Sequence, residues 1–481
     1  MLFNSLDFLV FFPVVVCIYF ATPHRFRWVL LLAASYYFYM SWKAEYGLLL
    51  LLTTFIDYYA AILIGRSTTK VKRFQYLALS LGSNLGLLFV FKYFNFFNDS
   101  VRATFNYFNV FYGVPAFQVL LPVGISFYTF QSMSYTIDVY RGQIRPEKHF
   151  GIFALYVSFF PQLVAGPIER SGHLLPQFYQ RYHFDYDRVV SGLKLMAWGF
   201  FKKLVIADRV AVAVNNVYNN PTDHTGIPLL MASYLFAFQI YCDFSGYSDI
   251  AVGSARVMGF DLMQNFRQPY FSKSIGEFWT RWHISLSTWF RDYLYTPLLQ
   301  SNWLFKRHWY YNLLVVFLVS GFWHGANWTF VIWGALHGFY LVFSIWTVRL
   351  RASASDLFQL SRFPRLHEAM KMVVTFHLVT FAWIFFRANS VSDAFYIVSH
   401  LFVGLEPRLG FGVDLGLFEF LIAGLAILCM ELVQLKQTQT SVGQFIARQP
   451  FWIRWATYYA LLFVILLFGK FDTREFIYFQ F

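Results

Sequence analysis

The chain has 481 residues, 58% hydrophobic and 13% charged, with a formal net charge of +13. A soluble globular domain carries about 25% charged residues, so this composition excludes a soluble enzyme and describes a protein that crosses a membrane many times. The surplus of Lys and Arg lies in the links between apolar runs, as in cytoplasmic loops, and no basic block with interleaved exposed aromatics marks a nucleic-acid surface.

The first apolar run, Phe8–Phe20, has no positive charge before it and is followed by Arg25 and Arg27. That is the charge pattern of a retained first helix with an extracytoplasmic N-terminus. Four spans are expected at roughly 6–21, 28–42, 47–65 and 74–92. The links after the first and third hold Arg25, Arg27, Arg66, Lys70, Lys72 and Arg73, which assigns that face to the cytoplasm. An aromatic and Asn-rich segment follows over 93–116, and a fifth run, Phe117–Ile137, returns to the basic stretch Asp138–His149.

From Gly151 the pattern is irregular. Residues 153–170 are apolar but interrupted by Pro161, Gly166 and Pro167, which suits a re-entrant segment. The run 193–214 carries Lys202, Lys203, Asp208 and Arg209, and reads as an interfacial helix with snorkelling lysines. Residues 228–260 form a long helix containing Asp243 and Asp249, whose six-residue spacing does not share a helical face cleanly. They read as buried carboxylates hydrogen-bonded to neighbouring hydroxyls, with a metal pair as the weaker alternative. In Phe278–Tyr295, Trp279, His283, Ser287 and Arg291 recur every four residues, which predicts one amphipathic helix with His283 on its polar stripe.

Tyr310–Trp346 is too long for one span of roughly 20 residues. It predicts two helices broken at Gly321-Phe322-Trp323-His324-Gly325-Ala326-Asn327. His337, thirteen residues after His324, is expected at another depth in a structural or supporting role, as is Asn327 beside the break. Further spans are expected at 371–387, 416–435 and 452–470, with a shorter run near 393–405. No internal repeat or soluble segment interrupts the chain, so 1–481 reads as a single membrane domain.

Most of the 12 histidines lie in polar or interfacial stretches: His24, His149, His173, His183, His224, His308 and His367. His377 and His400 are isolated near span positions. His324, at a helix break, is either a hydrogen-bonded structural imidazole or a general base. A poorly hydrated pocket keeps an imidazole neutral and able to accept a proton. No HxxxH or HExxH spacing supports a metal, and no GxSxG elbow supports a serine nucleophile. The three cysteines, Cys17, Cys242 and Cys429, lie far apart in apolar runs and read as packing residues.

The stretches GFWHGANWTFVIWGALHG, WTRWHISLSTWFRDYLY, YCDFSGYSDIAVG, LPVGISFYTFQSMSYTIDVYRG and FPQLVAGPIER resemble, in order, the motifs of the membrane-bound O-acyltransferase (MBOAT) family. The resemblance is closest to its bacterial alginate O-acetyltransferase branch and covers nearly the whole chain. It implies an all-α polytopic bundle of about eleven or more transmembrane helices, with re-entrant and interfacial helices around a central funnel. It implies catalytic roles for His324 and His283, acetyl-CoA as donor with no bound cofactor, and the inner membrane as location. Arg291 and Ser287, which share the predicted face of His283, are candidates for donor binding. The implied partners are a separate extracytoplasmic acetyltransferase, the polysaccharide export machinery and the surrounding lipids. Other readings of the same residues are D-alanyl transfer to teichoic acid, acetylation of cellulose or peptidoglycan, a transporter, and a non-catalytic export subunit.

Overall fold

A computed structural model gives the fold, describing residues 1–117, 122–164, 166–301, 309–405, 412–413, 415–437, 445–446, 448–471 and 476–477. Among these residues every regular element is helical. The chain packs as two compact units, Met1–Met196 with Ile250–Met263, and Ala197–Asp249 with Gln264–Phe481.

The first unit opens with α1 (Leu6–Ala21), α2 (His24–Met40), α3 (Glu45–Arg66) and α4 (Lys70–Leu88). α1 starts where the Ser5 hydroxyl accepts the Phe8 N–H, satisfying one of the amides a helix leaves open at its start. A π-helical turn, Phe89–Tyr93, joins α4 to α5 (Phe94–Tyr107). The expected exit from helix near residue 92 therefore does not occur. No glycine or proline interrupts 92–107, so nothing stops the helix there. α6 (Ile125–Arg141) is bounded by Gly124 and Gly142, both at φ 75°, a left-handed conformation in which only glycine is free of steric penalty. Of the predicted run Phe117–Ile137, residues 118–121 lie outside the described residues.

Burial inside this unit is not all apolar. Asp57 of α3 is fully buried. Its carboxylate accepts from Ser80 Oγ at 2.6 Å and from Asn84 Nδ2 at 2.8 and 3.0 Å, both on α4. Ser80 Oγ also lies 3.0 Å from Thr136 Oγ1 on α6. A carboxylate inside a helical bundle needs such donors, because no water is there to replace them.

The irregular stretch after Gly151 is broken as expected: α7 (Phe150–Ser158), α8 (Phe160–Leu163) and α9 (Ser171–Leu174) are all short. Glu169, fully buried, accepts the Met263 N–H at 2.6 Å and meets His173 Nδ1 at 2.8 Å. Hydrogen bonding to that carboxylate holds the His173 imidazole above its ordinary pKa.

α10 (Tyr186–Phe200) continues through a second π-helical stretch, Phe201–Ala207, into α11 (Asp208–Asn219). α12 (Ile227–Met258) is a single helix of 32 residues. Then come α13 (Ile275–Arg281), α14 (Ile284–Phe290), a π-helical turn Arg291–Tyr295, and α15 (Thr296–Gln300). α16 (Trp309–His324) and α17 (Trp328–Trp346) form the predicted broken pair. α18 (Val348–Leu357), α19 (Pro364–Arg387), α20 (Val391–His400), α21 (Leu417–Gln437) and α22 (Phe451–Phe468) complete the chain.

Seven helical stretches among the described residues are long and apolar enough to cross a membrane: 45–66, 70–107, 227–258, 328–346, 364–387, 417–437 and 451–468. α1 is a further, shorter apolar helix. The chain is a multi-pass membrane protein.

α16 and α17 cross at two glycines. A Cβ on Gly321 would overlap the Phe330 carbonyl, and one on Gly334 would overlap the Phe317 carbonyl. Small residues let two backbones approach this closely, which is how helices associate where no hydrophobic force drives them together.

Candidate functional site

His324 is the last residue of α16 and is 3% exposed. Gly325 and Ala326 turn the chain, and Asn327 caps α17 by accepting the Thr329 N–H at 3.0 Å. The break thus has a local cause, and it holds the imidazole inside the protein. The His324 ring packs edge-on against Trp323 (4.9 Å between centroids), Trp333 (5.0 Å) and Phe386 (5.3 Å).

The predicted amphipathic helix over Phe278–Tyr295 does not form. α13 stops at Arg281, and His283 has φ 42°, in the left-handed region. The chain can turn there because Asn265 supplies the acceptors that the interrupted helix loses. Its main-chain oxygen accepts the Ile284 N–H at 2.9 Å. Its Oδ1 accepts the Ser285 N–H at 3.2 Å and the Ser285 hydroxyl at 3.0 Å, and lies 3.1 Å from His283 Nδ1. The i+4 repeat is real, but this distant asparagine outcompetes the helix.

That network also assigns a tautomer. A backbone N–H can only donate, so the amide atom facing Ser285 is the oxygen. His283 Nδ1 then carries the proton, and the neutral ring presents its lone pair at Nε2. His283 is fully buried, and burial pushes its imidazole down to about 3, so it is neutral at any physiological pH.

His337 has the opposite tautomer. The Trp279 indole N–H, which can only donate, lies 3.3 Å from His337 Nδ1, so Nδ1 accepts and Nε2 carries the hydrogen. His337 is fully buried, and its ring meets Trp333 at 5.0 Å. Trp323 touches both His283 (6.3 Å) and His324, while Trp333 touches both His324 and His337. The structure therefore gathers the three histidines around two tryptophans.

The remaining candidates fall elsewhere. Arg291 does not share a face with His283; its side chain is 63% exposed and pairs with its neighbour Asp292 at 2.9 Å. The Ser287 hydroxyl donates to the Trp282 carbonyl at 3.1 Å. Asp243 and Asp249 are held by lysines rather than by hydroxyls alone. Asp243 pairs with Lys203 at 2.7 Å and accepts the Ile477 N–H at 2.8 Å. Asp249 pairs with Lys202 at 2.7 Å, and Lys203 also reaches Asp208 at 2.9 Å. The snorkelling expected of Lys202 and Lys203 is therefore wrong: their side chains are 5% and 1% exposed. Buried carboxylates already stand there, and pairing with them avoids an uncompensated charge. Among the described residues no group of three or more His, Cys, Asp or Glu side chains is placed to hold a metal ion.

Two features escaped sequence reading. Asn265 sits in a polar loop with no periodic signal, eighteen residues from the histidine it orients. Arg387 ends the run expected at 371–387 with no signal of its own there, yet it is 7% exposed and bound by amide oxygens. Four oppositely charged residues in apolar runs, Lys202, Lys203, Asp243 and Asp249, were the available sign of internal pairing.

A profile of the MBOAT, membrane-bound O-acyltransferase, family matches residues 147–390, which include all three gathered histidines. The chain is 42% identical over 401 residues to a probable alginate O-acetylase AlgI of Pseudomonas putida, covering 82% of this chain and 79% of that one. It is 41% identical to the corresponding protein of Pseudomonas aeruginosa over 84% of this chain and 75% of that one. It is 35% identical to a peptidoglycan O-acetyltransferase of Helicobacter pylori over 78% of this chain and 73% of that one. With its helical fold, its buried histidines and these matches, the chain belongs to the membrane-bound O-acyltransferase family and is an O-acyltransferase.

Proposed function

We propose that this protein moves an acetyl group from cytoplasmic acetyl-CoA across the inner membrane for O-acetylation of an exported polysaccharide, alginate. The observation that carries the reading is His324: an imidazole buried at a helix break among three aromatic rings, inside the family's matched segment. The names of the Pseudomonas relatives support the polymer.

His324 acts as the general base. It takes the proton of an acceptor hydroxyl as the oxygen attacks the thioester carbonyl carbon. The tetrahedral adduct collapses, the C–S bond breaks, and the departing thiolate takes the proton back from the imidazolium. Hydroxyl and thioester become ester and thiol. His283 is a second base, its lone pair at Nε2, orienting the donor or relaying a proton from the cytoplasmic side. Arg291, exposed, meets the donor phosphates, with Ser287 one turn before it. His337 and Asn327 keep supporting roles, the first through Trp279 and the second as the cap of α17. The acetyl group leaves toward a separate extracytoplasmic acetyltransferase in the export machinery, which completes transfer to the polymer. The N-terminus lies outside the cytoplasm.

A second reading, with peptidoglycan as the acceptor, is favoured by the Helicobacter relative and uses the same base. The test is His324→Ala, with polymer acetylation measured by mass spectrometry of exported material at matched protein levels. General-base loss predicts a fall of about 10²- to 10⁴-fold. Unchanged acetylation would overturn the role, and the polymer that loses its acetyl groups names the acceptor.

A further inference from the structure

Trp333 and His337 stand four residues apart on α17, so they share one face of that helix. Thr329 lies one turn before Trp333 on the same face. All three side chains are fully buried. Each carries a polar hydrogen: the Thr329 hydroxyl, the Trp333 indole N–H, and the His337 Nε2–H that follows from Nδ1 accepting Trp279. Among the described residues, Thr329 Oγ1, Trp333 Nε1 and His337 Nε2 all lack a hydrogen-bond partner. A buried donor without an acceptor is costly and rare, and at membrane depth no bulk water makes up the loss. Three at four-residue spacing on one helical face point to a ligand that brings the acceptor.

This face runs beside His324. The Trp333 ring lies 5.0 Å from the His324 ring and 5.0 Å from the His337 ring, centroid to centroid. The glycine crossing of α16 and α17 sets that spacing. Gly321 comes three residues before His324 and Gly334 directly follows Trp333, and a Cβ on either would push the two helices apart. Acyl transfer creates the missing acceptor. As the hydroxyl oxygen adds to the thioester carbon, the C=O π pair moves onto the carbonyl oxygen, which becomes an oxyanion. On collapse that pair returns, C=O re-forms, the C–S bond breaks, and sulfur takes the proton from His324. The N–H donors keep their own protons throughout. Fixed donors that meet more charge in the adduct than in the thioester stabilise the transition state over the ground state.

We propose that the Trp333 Nε1–H and the His337 Nε2–H form the oxyanion hole of this enzyme, holding the acyl carbonyl oxygen while His324 carries the proton. This rests on the acyl-transfer reading above and adds two catalytic donors to its base. Trp279 is the positioning residue: by donating to Nδ1 it keeps the His337 hydrogen at Nε2.

The test joins a rate to a spectrum. Membranes that carry the full-length protein and its export machinery are assayed for acetyl transfer from acetyl-CoA at matched protein levels. Trp333→Phe keeps an aromatic ring and removes the N–H. It is expected to lower kcat about 10²- to 10³-fold, with the KM for acetyl-CoA little changed. His337→Leu has the same effect. His337→Gln, whose amide accepts from Trp279 and still donates, recovers part of the rate. The spectrum separates contact with the acyl group from a structural role. Acetyl-CoA labelled at its carbonyl carbon is bound to purified full-length His324→Ala protein and read by infrared difference spectroscopy. Its C=O stretch is expected below that of free acetyl-CoA, because the two donors weaken the C=O bond. Adding Trp333→Phe or His337→Leu moves the band back toward the free value. An unshifted band, or full kcat in both Trp333→Phe and His337→Leu, overturns the proposal. So does a loss of rate in both variants with the band unmoved, which would make their effect structural. Failure of the underlying reading looks different. Wild-type protein that transfers no acetyl group from acetyl-CoA sinks that reading and the proposal with it. Transfer retained by His324→Ala removes only the base, and the shifted band keeps the two donors.

Discussion

Asn265 governs what His283 can do. One Oδ1 faces His283 Nδ1, the Ser285 N–H and the Ser285 hydroxyl, while Nδ2 donates to Ser248 Oγ at 3.2 Å. Removing that oxygen leaves buried donors unsatisfied, each costing about 1–3 kcal/mol. It also frees the imidazole to rotate or change tautomer. Asn265→Ala is therefore expected to lower the thermal unfolding midpoint and acyl transfer together. Asn265→Asp, which keeps an acceptor in place, retains more of both. Stability and transfer equal to wild type in the alanine variant would show that Asn265 does not set the ring. At this scale the sequence named His324 and His283 but not their environments. Nothing in a single chain marks which polar loop residue will reach back across eighteen positions.

Among the elements, the α16–α17 hairpin was legible and the Phe278–Tyr295 segment was not, and the difference is one of range. The hairpin is specified locally. Apolar length demands two helices, glycines at 321 and 334 permit a close crossing, and Asn327 starts the second helix. The other segment has an equally clear local period, but its break is imposed from Asn265. The same holds for the π-helical stretch Phe201–Ala207. Its lysines looked interfacial because Asp208 is adjacent in sequence, whereas the partner Asp243 is forty residues from Lys203. A prediction follows for that cluster. Lys203→Met leaves Asp208 and Asp243 buried without their shared cation, and breaking a buried pair from one side costs about 3–5 kcal/mol. The variant should unfold at a markedly lower temperature in detergent. Adding Asp208→Asn and Asp243→Asn to the same protein removes the uncompensated charges and should recover part of the loss. No recovery would mean that the lysine contributes by packing alone.

For the whole molecule, composition and charge carried the most. The apolar runs fixed a membrane protein, and the helices at 45–66, 364–387 and 451–468 lie close to the runs that predicted them. α1, with 16 residues, is about 24 Å long at 1.5 Å per residue, short of a typical hydrocarbon core of about 30 Å. Its role as a span therefore depends on the charges that follow it, Arg25 and Arg27, rather than on length. The orientation proposed from those charges can be tested one link at a time. In a chain with Cys17, Cys242 and Cys429 replaced by alanine, single cysteines are introduced at Thr68 and Ser353, beside basic links, and at Ser41 and Asn219, at the opposite helix ends. All four positions are exposed. In intact spheroplasts a membrane-impermeant maleimide should label Ser41→Cys and Asn219→Cys, and should reach Thr68→Cys and Ser353→Cys only after permeabilisation. The reverse pattern would place the N-terminus in the cytoplasm and the Arg387 end of α19 on the donor side.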